Sequence, residues 1–151
     1  MLFAFQFKKD NLAKNTNLMN SFEERISLLN EMISFSIVDG KLHEREYEFL
    51  LLVATTLGID KATFDDLFHN ELKPLPIKSE FQRIQQFYRL ALLMHVDGEL
   101  HEKEETAIRQ YAINMGLNPS ATKRMLKMIK ESPTKVVEPE SLLNIFREQH
   151  N

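Results

Sequence analysis

Residues 38–46 read VDGKLHERE, and residues 96–104 read VDGELHEKE. Aligned at this offset of 58, residues 38–60 match residues 96–118 at nine of 23 positions. The chain has four glycines, Gly40, Gly58, Gly98 and Gly116, and all four fall into that register. Each copy spends its two glycines 18 residues apart. A scarce residue placed so regularly marks backbone sites that need positive φ, the usual ends of helices. The repeat therefore reads as a duplicated helical unit.

Working outward from each turn gives the helices. SFEERISLLNEMISFSIVDG places Phe22, Ile26, Leu29, Ile33 and Ile37 at helical spacing and stops at Gly40. A second helix begins after His43 and stops at Gly58, and its run from Phe49 to Ala54 is apolar on every side, as a buried central helix would be. Asp60 caps a short third helix, and NELKPLPIK, with Pro74 and Pro76, breaks the chain between the units. In the second half Ser79 with Gln82 signals a helix start, and Ile84, Phe87, Tyr88, Ala91 and Met94 carry an inner face to Gly98. The next helix opens at His101 with Ile108, Tyr111, Ala112 and Met115 on one side only, so it is expected to be more exposed than its counterpart. Asn118 and Pro119 start a sixth helix, and EPESLLNIFREQ supplies a short seventh. No alternating run of strand length interrupts this pattern. The expected class is all-α, a compact bundle of about seven helices with an internal pseudo-two-fold repeat, in units at 21–70 and 79–130 with a last helix at 139–149.

Length and composition set the outer limits. At 151 residues the chain is one domain by length, 21–151, preceded by a poorly ordered extension at 1–20. That extension opens with an apolar run followed by Lys8 and Lys9, the reverse of a secretory signal, and Met19 offers a second start. No stretch reaches the roughly 18–20 apolar residues of a membrane span, so the expected location is cytoplasmic. A net charge of −3 and a pI near 6.0 argue against nucleic acid as a partner. The absence of cysteine excludes disulfides, thiolate metal sites and thiol nucleophiles.

The turn also holds the candidate site. Asp39 and Asp97 stand at helix C-termini, where a carboxylate opposes the macrodipole at a cost of about 0.3–1 kcal/mol. Two compensations are open: hydrogen bonds from backbone amides of the turn, or a divalent cation held by Asp39, Glu46, Asp97 and Glu104, flanked by His43 and His101. His43 and His101 also occupy N-cap positions, with Glu46 and Glu104 placed as the partners of a capping box. DGKLHERE resembles the second half of a calcium-binding EF-hand loop, but the first two ligand positions are Phe35 and Ile37 in one copy and Leu93 and His95 in the other. Those residues continue a helix, which excludes an ordinary EF-hand.

The arrangement Asp39, Gly40, Leu42 and Glu46, repeated as Asp97, Gly98, Leu100 and Glu104, resembles the TerB-like family over about residues 21–130. The resemblance implies a pseudo-symmetric bundle of about seven helices, a link to bacterial tellurite resistance and stress responses, membrane-associated complexes, and acidic residues suspected of binding metal. His43 and His101 depart from it, since the family more often places a small hydroxyl cap there. The chain has no His-Pro-Asp tripeptide of the J domains with which the family is sometimes joined. Enzyme motifs are missing: there is no nucleotide-binding glycine loop and no His-Glu-x-x-His pair. The expected function is that of a non-enzymatic interaction module with a protein partner, the alternative a divalent-metal-binding or sensing protein. Lys123, Arg124, Lys127 and Lys130 form a basic face that is either solvated or a docking patch for an acidic partner or anionic lipid.

Overall fold

The structure, a computed structural model, describes residues 21–37, 40–70, 72–96, 102–131 and 144–148. Asp39, Asp97 and His101, the extension at 1–20 and the ends of the seventh helix lie outside them. Among the described residues there are seven helices and no strand. The chain divides into two compact units, Met1–Pro76 and Ile77–Asn151.

In the first unit, α1 (Phe22–Ser36) starts where Ser21 and Glu24 cap each other. The Ser21 hydroxyl accepts the Glu24 amide at 3.2 Å, and the Glu24 carboxylate accepts the Ser21 amide at 3.4 Å. This satisfies two amides that the helix leaves without partners. The buried stripe is Leu28, Leu29, Met32, Ile33 and Phe35. Leu29 and Ile33 keep to the stripe expected, which is cut short at both ends, because Phe22 and Ile37 are about half exposed. Phe22 instead stacks beneath the Arg25 guanidinium, 5.6 Å from the ring centre.

Helix α2 (Glu44–Thr56) packs on α1, and its Phe49, Leu50, Val53 and Ala54 are each nearly sealed from water, each large side chain contributing about 1.5–3 kcal/mol. It ends in a Schellman turn: the Ile59 amide reaches back to the Ala54 carbonyl at 2.9 Å across Gly58, whose φ is +71°. Asp60 then caps α3 (Lys61–Asp66), accepting the Thr63 amide at 2.8 Å, and hydrogen bonding from the Thr63 side chain, together with that amide, holds its carboxyl below the usual range. Tyr47 fastens α3 to α2 by packing against Phe64 and Phe68 and donating its hydroxyl to Asp65.

After α3 the two prolines rule out helix, and the irregular segment is tied to α1. Asn30 donates to the Leu72 carbonyl at 3.4 Å, and the Ser27 hydroxyl accepts the Leu75 amide at 2.9 Å.

The second unit packs α4 (Glu80–His95), α5 (Glu102–Asn114) and α6 (Pro119–Glu131) against one another. Ser79 caps α4, which is buried on more than one face: Leu90, Leu92 and Leu93 join Ile84, Phe87, Ala91 and Met94 in the core, while Tyr88 is half-buried. Arg83 reaches back from α4 to the carbonyls of Ile77 and Lys78, at 2.9 and 3.0 Å. Helix α5 buries only Glu104, Ile108 and Ala112, in keeping with its one-sided pattern. It too ends in a Schellman turn, with the Leu117 amide on the Ala112 carbonyl at 3.0 Å and Gly116 at φ +71°. Asn118 caps α6 by accepting the amides of Ser120 and Ala121. The helical residues 144–148, here α7, bury Ile145 and Phe146, and Glu148 pairs with Arg124 of α6.

The two glycine stops differ in their surroundings, and that difference predicts unequal costs. A Cβ at Gly116 meets nothing within 4 Å, whereas one at Gly58 comes 2.9 Å from the Arg25 guanidinium, itself bonded to the Leu57 carbonyl at 2.5 Å. Urea unfolding should show Gly116→Ala lowering stability by about 1–2 kcal/mol from the left-handed backbone alone. Gly58→Ala should cost more, because Arg25 must also give up its bond.

Candidate functional site around the repeated turn

The first turn leaves α1 with the Gly40 amide bonded to the Ile37 carbonyl at 2.9 Å and Gly40 at φ +86°, a conformation that favours glycine. Leu42 follows at the surface, and His43 takes extended geometry at the N-cap of α2. Three residues on, Glu46 folds back so that its Oε1 accepts the His43 amide at 3.2 Å, with the His43 ring nitrogen Nε2 3.9 Å from the same oxygen. The carboxylate thus serves the backbone of its own turn, beside the positive end of the α2 dipole.

Glu46 has only 2 % of its surface exposed, and Glu104, the third residue of α5, has the same 2 %. They are the two buried carboxylates among the described residues. Burial of a carboxylate is costly unless hydrogen bonds or opposite charge surround it. At Glu46 the His43 amide supplies one such bond. The neighbouring acids Glu44 and Glu102 are exposed, as expected on the first turns of surface helices.

Of the six residues expected at the site, Glu46, Glu104 and His43 are therefore placed, each on its own unit's helix start, and Asp39, Asp97 and His101 fall outside the described residues. Among the described residues no group of three or more His, Asp or Glu side chains gathers with the spacing of a metal centre. His95, which precedes the second turn, is half-buried and donates from Nδ1 to the Ala91 carbonyl at 2.8 Å, a bond that helps to finish α4.

One buried charge is not evident in the sequence pattern. Arg89, in the middle of α4, is 2 % exposed and donates from Nη1 to the buried Gln86 at 2.9 Å. Burial pulls its guanidinium down to about 10, with nearby Tyr111 opposing that shift, so it keeps its charge at neutral pH. The signal that could have found it is the company it keeps: Leu90, Leu92 and Leu93 leave α4 no wide polar face for a cation to snorkel toward.

Neither the protein-family models, the curated proteins nor the solved structures yield a match to this chain. The likeness to TerB-like domains accordingly stands on the residues of the two turns.

Because Glu46 caps α2, its removal should be felt in folding. Glu46→Ala should lower stability by about 1–2 kcal/mol, through the lost bond and the cavity, whereas Glu46→Gln, which keeps an acceptor, should lose less. Parallel thermal and urea unfolding of the two variants would reveal equal losses if the amide bond were unimportant.

Proposed function

We propose that this protein is a non-enzymatic, TerB-like interaction module, built by duplication of a three-helix unit and working as an accessory in a bacterial stress-response or envelope-associated complex. The duplication is supported by two Schellman turns and two buried glutamates, each pair separated by the 58 residues of the sequence repeat. The family and its cellular setting come from the resemblance of the two Asp-Gly turns.

The observation that carries the interaction reading is the fixed apolar surface beside α1. Leu72 and Leu75 are 42 % and 45 % exposed, yet their backbone is held by Asn30 and Ser27 of that helix. Exposed leucines on a mobile loop would need ordering before they could bind. Here hydrogen bonds hold the backbone that carries them, and preorganised apolar groups are what a partner's pocket takes up at least entropic cost. The test is partner capture from the source cell, followed by mass spectrometry, with the natural chain and a Leu72→Ser, Leu75→Ser variant. The variant should melt within about 1 kcal/mol of the natural protein, since both side chains are exposed, and should lose its specific partner. Retention of every partner by a folded variant would remove this surface from the reading.

A second reading, a divalent-metal-binding or sensing protein, is favoured by the two buried carboxylates at matched positions. Asp39, Glu46, Asp97 and Glu104 would supply hard oxygen ligands, with His43 and His101 shifting preference toward a transition metal. Thermal unfolding of the metal-stripped chain with Mg²⁺, Ca²⁺, Mn²⁺ or Zn²⁺ checks it. An ion at a hundredfold excess over Kd should add about 2.7 kcal/mol, and an Asp39→Asn, Asp97→Asn variant should lose that gain. No gain with any ion would leave these acids as turn architecture.

A further inference from the structure

The chain after α3 reads LKPLP at residues 72–76, all five of them exposed and all within the first unit. Proline fixes φ near −65° and pushes the residue before it toward extended backbone. Lys73, Pro74, Leu75 and Pro76 are each a proline or the residue before one, so four consecutive residues are biased toward the left-handed polyproline helix. In such a helix, with three residues per turn, Leu72 and Leu75 stand one turn apart on the same edge, about 9 Å along it. The Leu75 amide, the one donor between the two prolines, is already spent on the Ser27 hydroxyl, and the Leu72 carbonyl accepts from Asn30. Among the described residues no donor reaches the carbonyls of Lys73, Pro74, Leu75 or Pro76.

We infer that residues 72–76 are a docking segment for a protein partner with an aromatic-lined groove shaped for a polyproline helix, Leu72 and Leu75 seating in the groove and an acidic rim meeting Lys73. This rests on the reading of the chain as an interaction module and names the binding face of its partner. The backbone selects among the ways a short segment can be recognised. Docking as a helix is excluded by Pro74 and Pro76. Addition as a strand to a partner's sheet needs a row of amides, but both prolines lack one and that of Leu75 is bonded to Ser27. Recognition as a polyproline helix needs no amide from the segment. Trp and Tyr side chains in an aromatic groove carry N–H and O–H donors, and the carbonyls of Lys73 to Pro76 are acceptors for them. The prolines leave the segment little freedom to lose on binding, which favours its capture. Its one charge is that of Lys73, so an acidic rim complements it and a basic rim is rejected.

The experiment measures binding of the labelled full chain to a panel of isolated WW domains and proline-binding Src-homology domains, which share grooves of this kind. At least one domain should bind, and an excess of that domain's own proline-rich peptide should displace the chain. A Pro74→Ala, Pro76→Ala variant keeps both leucines, yet should bind about tenfold more weakly, because its unbound segment samples more conformations. A Leu72→Ser, Leu75→Ser variant should bind at least as weakly. Circular dichroism should show both variants folded, since the substituted residues are exposed. Binding by no domain, or equal binding of the natural chain and the proline variant, overturns the assignment. Self-association of the natural chain that the leucine variant loses also overturns it, by giving the segment to a second copy. If the assignment is overturned while partner capture still depends on Leu72 and Leu75, this inference falls and the module reading stands. If capture is indifferent to the leucines as well, both fall.

Discussion

A helix that stops must leave its last carbonyls without amide partners, and the way this chain meets that constraint fixes where its helices lie. At residues 54–59 and again at 112–117 the solution is the same: a glycine at φ +71° lets the following amide turn back five residues to an orphan carbonyl. The residue that donates, Ile59 or Leu117, is buried. The bond that ends the helix therefore also drives an apolar side chain into the core, and the next helix starts two residues later behind Asp60 or Asn118. Stop, core contact and restart are one device, and shifting the glycine by a single residue would turn the apolar side chain about 100° away.

The same economy of position explains why the candidate site and the architecture are hard to separate. A glutamate at the third position of a helix is where a capping carboxylate belongs, and it is also near the positive end of the dipole, where any anion is favoured. Glu46 sits there with its amide bond to His43 made. Burial raises what is at stake, since a carboxylate out of water must keep its hydrogen bonds or lose its charge. Arg89 is the cationic counterpart of that problem in α4, where burial pulls its guanidinium toward lower basicity. Residues of this sort are expensive to hold and are kept where their partners are fixed.

Local chemistry made the helix boundaries legible. Asp60, Ser79 and Asn118 cap helices where the sequence places them, and Gly40, Gly58 and Gly116 adopt positive φ. These are short-range effects, settled within four residues of chain. Burial was less legible because periodicity gives a stripe without saying how far it is covered. Phe22 and Ile37 lie on the apolar period of α1 but at its ends, where they stay about half exposed while Leu29 and Ile33 are buried. Arg89 reversed the expectation, since a long cation is ordinarily free to reach water and only tertiary packing decides that it is not. For the candidate site the sequence indicated the capping geometry of Glu46, while its near-complete burial depends on the helices packed around it.

The residues singled out for binding suit different parts of a recognition event. Leu72 and Leu75 are short, apolar and carried on a backbone already bonded to α1, so little freedom is lost when they enter a partner, and contacts of that kind govern how slowly a complex comes apart. Lys73 between them is long, flexible and hydrated, and an exposed pair it forms is worth less than about 1 kcal/mol. What such a cation does well is act at a distance, drawing an acidic rim in and rejecting a basic one before any contact forms. Raising ionic strength acts chiefly on that attraction, whereas the leucines respond to the shape and apolarity of the pocket they meet. Affinity and choice of partner can in this way be carried by separate residues of one segment.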